Sequence, residues 1–490
     1  MSHPLKFDLV IRGGTVIDGT RRARFDADVG VRDGLIHAIG DLGGHEADRV
    51  IDARGKVVAP GFIDSHTHDD GALLRSPDLP FKVSQGVTTV VTGNCGISMA
   101  PVTANGEMPM PLSLLHDGGE RFPSFRSYLE ALRQRPAAVN VVPMVGHTNL
   151  RLMTMDSLDR PATSAEVQSM QTLLEEALAA GAVGMSTGTY YPPAAAATTE
   201  EVIGVSRPLA ARQALYVAHI RNEAEQCLQA MEETFQIGRE VGAPVLLSHH
   251  KHMREANFGN SVTSLRRIEE VMQCQCVSLD CYPYTASSTM LHQDEARLQG
   301  RITIASCKSH PEFQGRDLQD IADAWGVSRL EAARRLQPAS AVYHSMSEED
   351  VQRILAFEPT MIGSDGIDAG ERPHPRLWGT FPRVLGRYSR DIGLFPLETA
   401  VWKMTGLTAG VFGLDRRGVL AVGHHADITV FDAATVRDLA DYDDPQQPAQ
   451  GIDAVIVNGA IAYIDRVHQH TRTGQVLARS PQPICSQSPP

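Results

Sequence analysis

The chain has 490 residues, of which 42% are hydrophobic and 21% are charged, a composition typical of a globular protein with a sizeable core. Its formal net charge is -13 and no block of Lys or Arg occurs, which argues against a nucleic acid partner. No apolar run approaches the roughly 18 residues of a membrane span, and the first residues lack the apolar core of a signal peptide. The seven cysteines are an odd number and are scattered, so we expect a cytoplasmic protein without a disulfide framework.

The two ends of the chain share a β-rich texture. Residues 7–58 contain short apolar runs separated by Gly-rich turns, and residues 417–465 show the same pattern. Because these ends flank a middle of a different kind, we predict a small β-sandwich domain built from both termini, residues 1–58 plus 416–478. The segment 479–490, rich in Pro, Ser and Gln, is predicted to be a disordered tail.

The middle of the chain alternates helices and strands. Thr163-Ser164-Ala165-Glu166 is a capping box that begins a helix, and a strand follows at 183–186. Repetition of such units predicts an α/β protein with a TIM-like (β/α)8 barrel over residues 59–415, whose active-site residues belong at the C-terminal ends of its strands. The stretch from about 285 to 350 is too long for an ordinary loop and is predicted to be an inserted, partly helical lid.

Six residues that can bind a metal lie at predicted C-terminal strand ends: His66, His68, Cys95, His219, His249 and Asp365. His66 and His68 are two residues apart, so their side chains point the same way on an extended chain. Because the strand ends of a barrel surround one mouth, we expect all six side chains to converge there. Nitrogen, sulfur and carboxylate donors together suit zinc, and Cys95 could bridge two ions.

This set of donors predicts a metal-dependent hydrolase. Zinc would polarise a substrate carbonyl and acidify water, and Asp365 would act as the general base that carries the water proton to the leaving nitrogen. The chain has 19 histidines, so a single one is more often structural. His147, His250 and His252 are therefore weaker candidates, although His147 also ends a predicted strand.

Several motifs in the sequence resemble those of a known family. They include Pro-Gly-Phe-Ile-Asp-Ser-His-Thr-His at 60–68, Gly-Asn-Cys-Gly at 93–96 and His-Pro-Arg-Leu-Trp-Gly at 374–379. The first motif resembles the amidohydrolase superfamily as a whole. The other two together resemble the D-aminoacylases, the N-acyl-D-amino-acid deacylases of that superfamily, and the resemblance extends over essentially the whole chain.

The resemblance implies two metal positions. One zinc ion would be held tightly by three ligands, Cys95, His219 and His249. A second, weaker position would use His66 and His68, with Cys95 shared and Asp365 nearby. Cys95 would replace the carboxylated lysine that bridges the metals of dihydroorotases and hydantoinases, and the candidate fourth strand, 183–188, contains no lysine.

The resemblance also implies a clamp for the α-carboxylate of the substrate, formed by Arg376, Tyr282 and Lys251. Ser288 and Tyr191 are further candidates for the same pocket. A guanidinium can bind a carboxylate through two parallel hydrogen bonds, which explains the use of Arg. Fixing the carboxylate at one point and the carbonyl at the metal leaves one side for the amino-acid side chain, and this would select the D enantiomer.

The implied reaction is hydrolysis of a small-molecule N-acyl-D-amino acid to a carboxylate and a free D-amino acid. Residues 287–295 resemble the lid of enzymes that act on neutral side chains, so we expect N-acetyl-D-Met, D-Leu or D-Phe as substrates. Relatives that act on D-Glu or D-Asp would be expected to offer a cation there. The residues nearby are His292, Asp294 and Glu295, with Arg297 slightly beyond, which makes an acidic substrate the alternative.

Two further alternatives belong to other classes. A cyclic amide of the hydantoin or dihydropyrimidine type would be hydrolysed by a related barrel, but the missing bridging lysine argues against it. A catalytically inactive barrel used for binding would usually lack metal ligands or the base, and all six candidate residues are present here. No feature of the sequence specifies an oligomeric state.

Overall fold

The computed structural model describes residues 6–103, 108–116, 119–368, 370 and 372–480. Within this part of the chain, no helix is both long and apolar enough to cross a membrane. The strands, in chain order, are β1 (Phe7–Val16), β2 (Phe25–Arg32), β3 (Leu35–Gly40), β4 (Ala47–Asp52), β5 (Val57–Pro60), β6 (Phe62–Asp64), β7 (Val87–Thr92), β8 (Asn140–Pro143), β9 (Val145–Gly146), β10 (Gly184–Gly188), β11 (Leu215–His219), β12 (Val245–Leu247), β13 (Val277–Cys281), β14 (Ser287–Met290), β15 (Arg301–Cys307), β16 (Ala339–His344), β17 (Thr360–Ile362), β18 (Ile428–Phe431), β19 (Ile452–Val457), β20 (Ala460–Ile464) and β21 (Val467–His468).

The helices surround these strands. In chain order they are α1 (Ala72–Arg75), α2 (Pro80–Val83), α3 (Phe125–Gln134), α4 (His147–Thr154), α5 (Ser164–Ala180), α6 (Pro192–Ala195), α7 (Thr199–Ser206), α8 (Pro208–Arg212), α9 (Cys227–Val241), α10 (Ser261–Met272), α11 (Leu318–Trp325), α12 (Arg329–Arg335), α13 (Glu348–Ala356), α14 (Arg376–Arg383), α15 (Leu397–Met404) and α16 (Gly406–Phe412). A π-helical stretch, Val384–Asp391, continues α14. The predicted capping box is confirmed: Thr163 accepts from the Glu166 amide at the start of α5.

Nine strands from the two ends of the chain form one continuous sheet in the order β21-β20-β19-β18-β5-β1-β2-β3, with β4 paired to β1. The two ends meet where β5 and β18 pair in antiparallel fashion. Alternating residues of these strands form an apolar cluster that includes Ile11, Val29, Val58, Ile428 and Ile456. The predicted β domain built from both termini is therefore confirmed, while its exact boundaries remain a prediction.

Eight parallel strand positions form the predicted barrel. One parallel sheet has the order β6-β7-β8 and the other β17-β13-β12-β11-β10-β9, and only Met144 separates β8 from β9. The barrel closes between its first and last strands, because the Ser65 amide donates to the Ile362 carbonyl at 3.3 Å. The strands are almost entirely buried, as expected where helices and loops cover a parallel sheet.

An insertion between β13 and β17 forms the lid. Its strands β14, β16 and β15 make a small antiparallel sheet in that order, and α11 and α12 pack with it around an apolar core of its own. The lid was predicted to be partly helical, and the structure adds the three strands. Its strand pairing joins residues 32 to 56 positions apart, which local sequence patterns do not specify.

The segment after β21 crosses the barrel at the end opposite the strand C-termini. The Leu477 amide donates to Val141, near the start of β8, at 2.8 Å. Arg479 donates to the carbonyls of Gln213 and Val411 at 2.9 and 2.6 Å. The first two residues of the predicted disordered tail, 479–490, make contacts of this kind, since the Ser480 amide also donates to the Gly413 carbonyl at 2.9 Å, and 481–490 lie outside the described residues.

Candidate metal centre

All six predicted metal ligands lie together at the C-terminal mouth of the barrel. Their donor atoms form two overlapping groups, within each of which every donor lies within 4.8 Å of the others. One group consists of Cys95, His219 and His249, and the other of His66, His68, Cys95 and Asp365. Every one of these residues is buried. The structure therefore brings the six predicted residues together in the arrangement of two adjoining metal positions that share Cys95.

Cys95 lies at the centre of the two groups. Its Sγ is 3.3 Å from His66 Nε2, 3.3 Å from His249 Nε2 and 3.4 Å from His219 Nδ1. Burial, together with nearby Asp365, raises the pKa of the Cys95 thiol well above its usual range. A buried sulfur surrounded by three imidazole nitrogens matches the donor chemistry of a zinc site, so the residues present fit the metal.

The imidazoles of the first group are neutral. Burial lowers the pKa of His219 and of His249 well below the usual range, and nearby Lys251 adds to the shift of His249. Neutral imidazole is the form that binds a metal. At His66 burial also acts to lower the pKa, but Asp280, whose Oδ1 is 3.5 Å from His66 Nδ1, raises it overall.

Asp365 faces the second group and a guanidinium at the same time. One carboxylate oxygen is 3.2 Å from His68 Nε2 and 3.6 Å from His66 Nε2, and the other is 2.9 Å from Arg376 Nη1. Burial acts to raise the pKa of Asp365, but Arg376 and the histidines, His249 first among them, outweigh it and hold the pKa well below its usual range. The side chain is therefore ionised and can accept a proton.

Two carboxylates that contact the histidine ligands were not predicted from the sequence. Glu223 Oε1 is 3.1 Å from His249 Nδ1, and Glu223 Oε2 is 3.6 Å from His219 Nε2. Asp280 accepts from the His249 amide at 2.6 Å. Carboxylates in such positions orient the rings of metal-binding histidines. Asp280 is the penultimate residue of β13, so the rule that found the other ligands could have found it, whereas Glu223 lies in a loop with no comparable signal.

The five predicted substrate-binding residues surround the centre but differ in accessibility. Lys251, Ser288 and Tyr191 line a cavity with His219, His249 and Asp365. Tyr282 and Arg376 are fully buried and stack on each other, with the guanidinium carbon 4.6 Å from the ring centroid. Arg376 reaches the cavity wall by donating to the Ser288 carbonyl at 3.0 Å.

Lys251 is already engaged with the centre. Its Nζ is 2.6 Å from Glu223 Oε1 and 2.7 Å from His249 Nδ1. The ammonium group therefore lies at the edge of the metal group and borders the cavity. A substrate carboxylate in this cavity would meet a cation close to the donor atoms.

The three weaker histidine candidates lie outside both donor groups. His147 Nε2 is 3.4 Å from Glu201 Oε1. His250 and His252 each contact the hydroxyl of Ser264, at 2.8 and 2.9 Å. His250 and His252 therefore have hydrogen-bonding roles in the packing around the barrel, whereas His147 lies beside the Glu201 carboxylate.

The fold and the donor atoms together define a metal-binding hydrolase barrel, and comparison with known proteins agrees. The model of the amidohydrolase family matches residues 49–269 and 289–463. A D-aminoacylase from Alcaligenes xylosoxydans xylosoxydans is 57% identical over 97% of this chain and 98% of its own length. A solved structure of a D-aminoacylase with a binuclear metal center superposes with a TM-score of 0.95 at 57% identity, covering 96% of this chain and 100% of that one.

A more distant relative carries an inhibitor. It is an N-acyl-D-glutamate deacylase from Bordetella bronchiseptica, solved with zinc and a phosphonate that mimics the tetrahedral intermediate, with a TM-score of 0.94 at 47% identity over 96% of this chain and 100% of that one. The chain thus belongs to the amidohydrolase family. Within that family it is one of the D-aminoacylases, metal-binding hydrolases that cleave the linear amide bond of N-acyl-D-amino acids.

Proposed function

We propose that the enzyme is zinc-dependent and hydrolyses N-acetyl-D-amino acids with neutral side chains, chiefly D-Met, D-Leu and D-Phe. The observation that carries the proposal is the ionised Asp365 beside a shared Cys95 sulfur and four imidazoles, at a cavity bordered by Lys251. Cys95, His219 and His249 would hold zinc tightly and the second group would hold it more weakly; when bound, the metal would polarise the carbonyl and acidify water. The zinc-containing relative supports this choice of metal.

Asp365 acts as the general base. It takes a proton from the attacking water and passes it to the nitrogen of the breaking amide bond. The amino acid therefore leaves as a neutral amine, which then takes up a proton from solvent. Asp365 lies on the cavity wall, where it can reach both the attacking water and the amide nitrogen. Arg376 and the histidines keep it ionised, so a proton acceptor is present before the substrate arrives.

The cationic side of the cavity holds the α-carboxylate. Lys251 lines the cavity directly. Arg376 lies behind Ser288, where its guanidinium stacks on the ring of Tyr282. With the carboxylate on this side and the acyl carbonyl at the donor atoms, the Cα hydrogen and the side chain have fixed directions. Only one enantiomer can then place its side chain in open space.

The side-chain preference follows from the cavity wall. Met253, Tyr190 and Tyr343 give it apolar surface. Arg254 and Arg297 also line it, so the wall carries cations although Arg297 lies just beyond the segment 287–295 in the sequence. The Arg254 guanidinium is 2.8 Å from Glu225, however, and that of Arg297 stacks 4.1 Å from the Tyr190 centroid and donates to its carbonyl at 3.2 Å. Because both cations have protein partners, neutral side chains are favoured.

The same arginine supports a second candidate, an N-acyl-D-glutamate or D-aspartate deacylase. Arg297 is partly exposed, with 27% of its side chain accessible, and its guanidinium could turn from Tyr190 to a substrate carboxylate. Under this alternative, Arg297→Leu would reduce kcat/KM for N-acetyl-D-glutamate and leave that for N-acetyl-D-methionine largely unchanged.

The test is hydrolysis of N-acetyl-D-methionine, its L enantiomer and N-acetyl-D-glutamate by zinc-loaded protein, read as free amino acid. The proposal predicts release of D-methionine, little or no L-methionine, and a lower kcat/KM for the glutamate derivative. Preference for the glutamate derivative would establish the second candidate instead. Equal turnover of the two methionine enantiomers would contradict the carboxylate clamp, and hydrolysis of a hydantoin without any N-acyl-D-amino acid would contradict the proposed reaction.

A further inference from the structure

A second cavity adjoins the metal centre. His68 and Cys95 lie on its wall beside the apolar side chains of Ile97, Leu114, Leu115 and Ile367. Its volume is about 10 Å³, which accommodates one group of the size of a water molecule. The cavity that contains Lys251 is larger, at about 70 Å³.

Four residues separate the two cavities. Tyr191, Ser288, Thr289 and Asp365 border both of them. The Thr289 hydroxyl donates to the Tyr191 hydroxyl at 3.0 Å, and this hydrogen bond connects two of the residues that lie between the cavities. Asp365 can therefore be reached from either side.

This arrangement matches the two halves of an N-acyl-D-amino acid. The scissile amide must lie beside Asp365, so its acyl group and its amino-acid part extend in different directions. The larger cavity has Lys251 on its wall, which suits the part that carries the α-carboxylate. Apart from the centre's own His68 and Asp365, the described side chains around the smaller cavity are uncharged and mostly aliphatic, which suits a hydrocarbon group.

We propose that the smaller cavity is the acyl pocket and that Leu114 limits the length of the acyl chain. This inference rests on the proposed function and adds the acyl-group specificity to it. The small volume suits a short acyl group such as acetyl better than a long chain. Leu114 is only half-buried, whereas its neighbour Leu115 is 1% exposed and belongs to an apolar cluster with Ile97. Leu114 can therefore be changed with less loss of packing.

The experiment compares kcat/KM for N-acetyl-, N-butyryl- and N-hexanoyl-D-methionine in wild-type protein, Leu114→Ala and Leu114→Phe. We expect the wild type to prefer the acetyl substrate. Leu114→Ala should raise the hexanoyl-to-acetyl ratio about 10-fold or more, because a single methylene group in an apolar pocket changes such a ratio by about 10–200-fold. Leu114→Phe should lower the butyryl-to-acetyl ratio.

A matched variant in the larger cavity completes the design. Met253→Ala should change the preference between N-acetyl-D-methionine and N-acetyl-D-phenylalanine and leave the acyl-chain ratios as in the wild type. Acyl-chain ratios that are unchanged in both Leu114 variants, or that shift in Met253→Ala instead, would overturn the acyl-pocket assignment. Failure of the wild type to hydrolyse N-acetyl-D-methionine would instead overturn the proposed function, so the two failures are distinguishable.

Discussion

Cys95, His249 and Asp365 share an unusual backbone conformation. Their φ angles are 53°, 35° and 49°, in the left-handed region that residues with a Cβ seldom adopt, at a cost of order 1–3 kcal/mol each. Hydrogen bonds hold two of these turns: the Asp365 amide donates to the His66 carbonyl at 2.7 Å, and the His249 amide to Asp280 at 2.6 Å. The donors are thus positioned by the folded barrel, so a metal would meet a preformed site.

Asp365→Asn separates metal binding from proton transfer. The amide keeps the size of the side chain but cannot accept a proton, so kcat should fall by about 10²–10⁴-fold. Zinc should be retained, since Cys95, His219 and His249 form a group without Asp365. The measurement is kcat together with metal content, and Asp320→Asn, an exposed carboxylate on lid helix α11, is the control. Near-normal turnover by Asp365→Asn would refute the base assignment.

The seam between β6 and β17 depends on a buried lysine from α2. Lys82 Nζ is 2.7 Å from Asp64 Oδ2, 3.3 Å from Asp69 Oδ2 and 2.9 Å from Ser364 Oγ. Asp64 in turn accepts from the Ser364 amide at 2.7 Å. Because His66 follows Asp64 and Asp365 follows Ser364, this cluster joins the two chain segments that carry the second metal group.

Lys82→Met should destabilise the protein and disturb the site. Removing one member of a buried ion cluster leaves the carboxylates of Asp64 and Asp69 without a countercharge, which costs about 3–5 kcal/mol. The free energy of unfolding in urea measures this loss, and kcat should fall as well. For comparison, Arg135→Ala breaks the exposed pair with Glu120 and should cost less than about 1 kcal/mol. A Lys82→Met protein that matches this control in stability and the wild type in kcat would show that the seam does not depend on Lys82.

The molecule as a whole combines features that local sequence specifies with features that it does not. The barrel and the positions of its six donors could be predicted, because strands alternate with helices and parallel strands place their C-terminal ends on one side. The pairing of β14 with β16 and the contacts of Arg297 with Tyr190 join residues that are far apart in sequence. Periodic sequence patterns carry no information about such contacts. The lid sheet and the position of Arg297 on the cavity wall could therefore not be predicted from the sequence.

Chain connectivity also links the two ends of the protein to the barrel. The β5–β18 pairing joins the termini just before β6 begins, and the segment ending at Ser480 covers the barrel end opposite the metal centre. The lid and the two cavities that contain donor residues lie at the other end of the barrel.

The most direct test of the account is a zinc titration of metal-free protein, with turnover of N-acetyl-D-methionine and bound zinc measured on the same samples. We predict no turnover without metal, activity that rises as the first equivalent of zinc binds, and weak zinc binding with little activity in Cys95→Ser. Full turnover by the metal-free protein, or normal zinc binding and activity in Cys95→Ser, would contradict a zinc-dependent hydrolase centred on Cys95.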